Sequence, residues 1–189
     1  PTSFPSRRVW VHFVARGPKG EVLFESGRLN PDGSIEGADA DRDLSRYEPH
    51  HRVITEPGQV QVYVPVMGNT DGEVTYTLLR AAQFIKDNRL TPRGFLKERV
   101  PEDVRVAGRA AADRDFDDGS DIIEYRVSVR PGKYVDVEID LNYQTVAPSF
   151  LRDLYLDDGL PEVARFREIF ENGAIVAENI ASTSLRVRR

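Results

Sequence analysis

The sequence predicts a mainly β fold, an antiparallel two-sheet sandwich with long loops and a small C-terminal helical element, in a single domain over residues 1–189. Three observations predict it. Several segments alternate apolar and polar residues with a period of two. They come in close pairs joined by turn residues, without the crossover helices a parallel sheet needs. Apolar spacing of three and four is confined to a helical insertion at about 148–172.

The elements follow in order. The opening PTSFPSRR, with two prolines and small hydroxyl residues, reads as an extended arm. In Val9–Val14 one face carries Val9, Val11 and Phe13 and the other Trp10, His12 and Val14; two apolar faces predict a central strand. Gly17-Pro18-Lys19-Gly20 turns the chain, and Glu21–Glu25 returns to complete a hairpin. Residues 26–51 carry little apolar content around an Asn30-Pro31-Asp32-Gly33 turn and predict a long decorated loop, ordered by a calcium ion or by docking on a neighbour. From Gln59 to Met67, Val60, Val62, Val64 and Val66 share one face and Gln59, Gln61 and Tyr63 the other, as in a half-buried strand. Gly68–Gly72 reverses the chain into a second strand near Glu73.

Lys86-Asp87-Asn88-Arg89, with Leu90, Pro92, Gly94 and Phe95, makes a dense polar segment that reads either as a functional loop or as one tied down by its own side chains. Residues 99–112 predict a turn and an irregular connection. Beyond the acidic loop Asp113–Asp121, residues 122–129 alternate, Pro131-Gly132 turns the chain, and residues 134–143 alternate most cleanly. These two segments are expected to pair antiparallel with one wet face. Pro148 and Pro161 open two helical stretches, the second ending at Asn172-Gly173. Residues 174–189 fit either a continued helix or a closing edge strand.

The 189 residues (21.3 kDa) carry a net charge of −5, which argues against nucleic acid as a partner. No apolar run reaches the roughly 18 residues of a membrane helix. Cysteine is absent, which excludes disulfides, thiolate nucleophiles and c-type haem attachment. A start at Pro1 suggests a processed protein or an excised fragment.

Two alternating aspartate arrays could supply oxygen ligands to calcium: Asp39, Asp41 and Asp43, and Asp113, Asp115, Asp117 and Asp121. The second abuts a firm strand and is the better metal candidate; the bland alternative is solvated turn residues. Neither has the spacing of a helix-flanked calcium loop. The histidines are His12, His50 and His51, and a zinc site from His12 and His50 would require the long loop to fold back over the first strand. Ser26 and Ser120 lack a strand–nucleophile–helix setting, and no glycine-rich phosphate loop is present. An enzyme would need a site assembled by the fold.

The stretches PTSFPSRRVWVHF, GRLNPDGSI, YEPHH, VQVYVPVMGNTDGEVTYTLLRAAQFIKDNRLTPRGF, DRDFDDGSD and LNYQTVAPSFL resemble the non-haem C-terminal domain of extracytoplasmic multihaem cytochrome c-like proteins, over most of residues 1–155. The resemblance implies a non-catalytic accessory or interaction domain of a periplasmic or secreted electron-transfer protein. Haem would then belong to a missing region or to a haem-bearing partner. Under that expectation the interface residues are Lys86, Asp87, Asn88, Arg89 and Phe95, then His50 and Tyr143. The alternatives are a calcium-stabilised binding module, for carbohydrate among other ligands, and an enzyme with a fold-assembled site.

Overall fold

The computed structural model describes residues 4–130, 134–173, 175 and 177–188. Its organising element is β1 (Arg8–Arg16). Both of its faces are apolar and both are covered: Val9, Trp10, Val14 and Ala15 are at most 2% exposed. The hairpin to β2 (Val22–Ser26) forms as expected, with Gly17 and Glu21 closing the turn and an irregular register at Ala15/Arg16. The opening arm is docked: Phe4 meets Phe150 edge-on, and Ser6 Oγ donates to the Thr145 carbonyl.

Among the described residues the strands form three sheets of mixed direction, which replaces the expected two-sheet sandwich. The largest is five-stranded. Its order is β10 (Ala177–Arg188), β9 (Tyr134–Gln144), β1, β2, with β4 (Val62–Tyr63) also pairing with β1 at Val9 and Trp10. A second sheet pairs β3 (Val53–Ile54) with β8 (Glu124–Tyr125) in parallel. The third sets β5 (Pro65–Gly68) between β6 (Val74–Thr75) and β7 (Gln83–Asp87).

Residues 122–129 do not pair with β9 as expected. Both edges of β9 are already taken, by β1 from Arg8↔Gln144 to Arg16↔Asp136 and by β10 along its whole length. The segment lies instead across the apolar face of the large sheet. Ile123, Tyr125, Val127 and Val129 pack on Phe13, Phe24, Val135 and Val137, and the Tyr125 ring stacks on Phe13 at 4.0 Å. Its alternation records packing on a face rather than pairing at an edge. The turn expected at Pro131-Gly132 lies outside the described residues.

The helices are α1 (Arg109–Ala112), α2 (Pro148–Leu154) and α3 (Pro161–Glu171). Pro148 and Pro161 occupy the first helical turn, where a missing N–H costs nothing. Asn172 caps the end of α3. The ambiguous C-terminal stretch is the strand β10. Among the described residues no helix is long and apolar enough to cross a membrane.

The long 26–51 excursion finds its order inside the chain. It buries Ile35, Ala38 and Ala40 beside Trp10 and Val60, and a single 3-10 turn at Asp39–Asp41 sets Asp41 inward. There Arg8 Nη1 donates to Asp41 Oδ1 at 2.7 Å, Arg8 Nε to Gln144 Oε1 at 2.8 Å, and Arg8 Nη2 to the Gly33 carbonyl at 3.1 Å. Gly33 sits at φ 82°, the left-handed backbone that the Asn30–Gly33 turn demands.

Candidate metal centre

Around β4, Val60, Val62, Val64 and Val66 enter the core, as their spacing implies. The opposite face is not wet. Gln61 is 0% exposed and Tyr63 3%, because three segments distant in sequence close over them: His50 at the end of the long excursion, Asn88 just after β7, and the loop 113–121 that follows α1.

Backbone groups fix the polar side chains of this interior before any ligand is considered. Gln61 Oε1 accepts the His51 N–H at 2.8 Å, which turns Gln61 Nε2 toward His50 Nδ1 at 2.9 Å. Asn88 Oδ1 accepts the Val64 N–H, while its Nδ2 donates to the Val62 carbonyl and reaches His50 Nδ1 at 3.2 Å. Nδ1 therefore accepts, and the imidazole proton lies on Nε2. From there it faces Asp113 Oδ2 at 3.2 Å and Asp121 Oδ1 at 3.8 Å. The three ligand atoms of His50, Asp113 and Asp121 all lie within 4.8 Å of one another, a cluster that can hold a divalent cation.

The two carboxylates are supported differently. Asp113 Oδ1 takes an ion pair from Arg52 Nε at 3.1 Å and the Asp115 N–H at 3.0 Å. Asp121 Oδ2 accepts the Tyr63 hydroxyl at 2.7 Å, whereas Asp121 Oδ1 is buried with no hydrogen-bond partner among the described residues, on a side chain 5% exposed. Burial pushes the Asp121 carboxyl above its usual range and the His50 imidazole below its own. Phe116 closes the cluster, edge-on to His50 at 5.1 Å and stacked with Tyr63 at 6.4 Å.

Beside it lies a buried ammonium. Lys86, 1% exposed, donates to the Val62 carbonyl at 2.8 Å, and burial lowers its pKa to about 8 against the pull of Glu48 and Asp87. Glu48 accepts the Ala40 N–H, and burial raises its carboxyl.

Of the aspartates expected to bind a metal, the fold brings Asp113 and Asp121 together. Asp115 turns to Arg52 at 3.5 Å, and Asp117 Oδ1 accepts the Lys97 N–H at 3.0 Å, so both serve the loop. The other array is also occupied: Asp41 with Arg8, Asp39 with Arg46 at 2.6 Å, and Asp43 with Ser45. His12 pairs with Glu25 at 3.0 Å and does not join His50.

Among the residues expected at an interface, His50, Lys86, Asp87 and Asn88 are interior. Arg89 is half-buried, holding Asp87 at 2.8 Å and lying over the Phe84 ring, and Phe95 and Tyr143 are half-buried too. Sequence reasoning missed Gln61 and Tyr63. The available signal was an amide and a phenol on a strand whose neighbours are all valine.

Comparison with protein-family models, with curated proteins and with solved structures gives no match. The expected kinship with multihaem cytochrome c-like proteins is therefore corrected. The 189 residues hold no cysteine, so they cannot carry the thioether attachment that defines c-type electron-transfer domains, and no cytochrome matches them. The accessory role in a redox protein falls with it. What stands is a β-rich domain with a buried histidine–aspartate cluster of metal-binding type.

Proposed function

We propose that the chain is a binding module whose long loops are clamped by a divalent cation held by Asp113 Oδ2, Asp121 Oδ1 and His50 Nε2, where the cation displaces the imidazole proton. One observation carries this reading: Asp121 Oδ1 is a buried oxygen with no hydrogen-bond partner among the described residues, 3.8 Å from His50 Nε2. An orphaned buried carboxylate oxygen costs roughly 1–3 kcal/mol or more, which a cation offsets. One imidazole nitrogen and two carboxylate oxygens suit a zinc-class ion, whereas calcium prefers six to eight oxygens. His50 and Asp113 side chains are fully buried, so the ion would hold the excursion, β4 and the 113–121 loop together rather than meet a substrate. The expected carbohydrate platform finds no support, since Phe4 is the sole exposed aromatic side chain among the described residues.

A second reading rests on the amides. Gln61 and Asn88 keep the imidazole proton on Nε2, so a proton between His50 and the aspartates can fill the clamp in place of a metal. Thermal melts after chelation, then with Zn²⁺, Mn²⁺ or Ca²⁺, separate the two. At an ion concentration a hundred times Kd, a cation contributes about 2.7 kcal/mol, or roughly 5–10 °C in Tm, and Asp121→Asn abolishes the response. If no ion moves Tm and Asp121→Asn is as stable as the parent protein, the cation reading is wrong and the proton reading holds.

A further inference from the structure

We propose that β10 is a self-recognition edge, through which two copies of the chain pair antiparallel about a two-fold axis at Thr183 and join their five-stranded sheets. β10 is twelve residues long and lies at the end of the strand order; one edge is bonded to β9, and no described strand pairs with the other. From Glu178 onward every residue is exposed. An unpaired row of N–H and C=O groups of this length is a template for another strand.

Few of the devices that normally block such pairing are present along its central residues. Ala177–Arg188 contains no proline, glycine or lysine. Its single irregularity falls between Asn179 and Ala181, which leaves unbroken Ala181–Leu185, the segment that an axis at Thr183 pairs with its own copy. Arg186 is already neutralised by two bonds to Asp136, at 2.6 and 2.9 Å.

The side chains select a second copy as the occupant. Ala181, Thr183, Leu185 and Val187 stand opposite Leu141, Ile139, Val137 and Val135 of β9 and so extend the sheet's apolar face, with Leu185 and Val187 still about half exposed. An axis at Thr183 sets Thr183 against itself and Ala181 against Leu185 of the other copy, a small residue facing a large one. On the polar face it sets Ser182 against Ser184. The arginines at 186 and 188 never face one another in this register, so no like charges meet. Leu185 and Val187 also wall an apolar groove of about 360 Å³ together with Val127, Val129, Val135 and Val137, and this groove opens beside the edge being paired.

Sedimentation equilibrium of the 189-residue chain from 1 to 200 μM tests the proposal. A concentration-dependent rise from 21.3 kDa toward twice that mass is expected. Thr183→Lys and Thr183→Glu each place like charges at the axis on an exposed side chain and should weaken association at least tenfold with the monomer's Tm unchanged. Mixing the two variants should restore it as a heterodimer. A parent protein that stays monomeric overturns the proposal, as does a dimer indifferent to Thr183→Lys; failure of the mixture to associate overturns the register.

Discussion

Replacing Lys86 by Met should stabilise the protein. The ammonium is 1% exposed and its pKa falls from the usual 10.5 to about 8, so the folded state disfavours the charge by about 3 kcal/mol at 1.36 kcal/mol per pH unit. Against this stands one hydrogen bond, to the Val62 carbonyl, worth about 1 kcal/mol. That carbonyl keeps a donor after the substitution, because Asn88 Nδ2 also reaches it at 3.0 Å. Glu48 loses a nearby positive charge but keeps the Ala40 N–H, and burial already favours its neutral form. The net expectation is a gain of about 2 kcal/mol at pH 7.5, or roughly 4–8 °C in Tm.

The pH dependence makes the test specific. Between the folded value near 8 and the unfolded value near 10.5 the unfolded chain binds more protons, so stability rises with pH across that window. From pH 7.5 to 9.5 the parent protein should gain roughly 2 kcal/mol in urea titrations followed by circular dichroism, and Lys86→Met should show none of that gain. A variant less stable than the parent by more than about 1 kcal/mol at pH 7.5, or one that keeps the rise, would refute the reasoning.

Three further outcomes follow from other parts of the fold. Arg8→Met should cost about 3–5 kcal/mol in urea unfolding, because it leaves Asp41 buried without its counter-ion. Gly27→Ala should cost about 3 kcal/mol: Gly27 sits at φ 80°, and an added Cβ would meet the Val11 carbonyl oxygen at 2.4 Å. Leu79→Gln, at a side chain 97% exposed, should shift stability by less than about 0.5 kcal/mol in the same assay.

Local periodicity revealed the elements that depend on local chemistry. The two apolar faces of β1, the alternation of β9 and the prolines that open α2 and α3 were all legible, because each reports on a few consecutive side chains. Partners were not legible. Residues 122–129 alternate equally well whether they pair with β9 or lie across its face, and the choice depends on β10, which arrives some fifty residues later. The buried cluster posed the same difficulty more sharply: His50 and Asp113 lie 63 positions apart, and Gln61 and Asp121 lie 60. Asp115 and Asp117 shared the spacing of Asp113 and Asp121, yet Arg52 and a backbone N–H drew them elsewhere. The alternating charges of Lys86–Arg89 suggested a surface. Inside the fold the same pattern satisfies a carbonyl, an arginine and an imidazole.

The position of β1 bears on how the molecule is made. This strand leaves the ribosome well before β9, and its Trp10 must wait for Asn142 to complete the register. At about 5–20 residues per second that interval is on the order of ten seconds. During it, the nascent chain holds an apolar ribbon capped on one side by the β2 hairpin, which gives chaperones a defined segment to shield and makes a ribosome stall before β9 emerges a hazard.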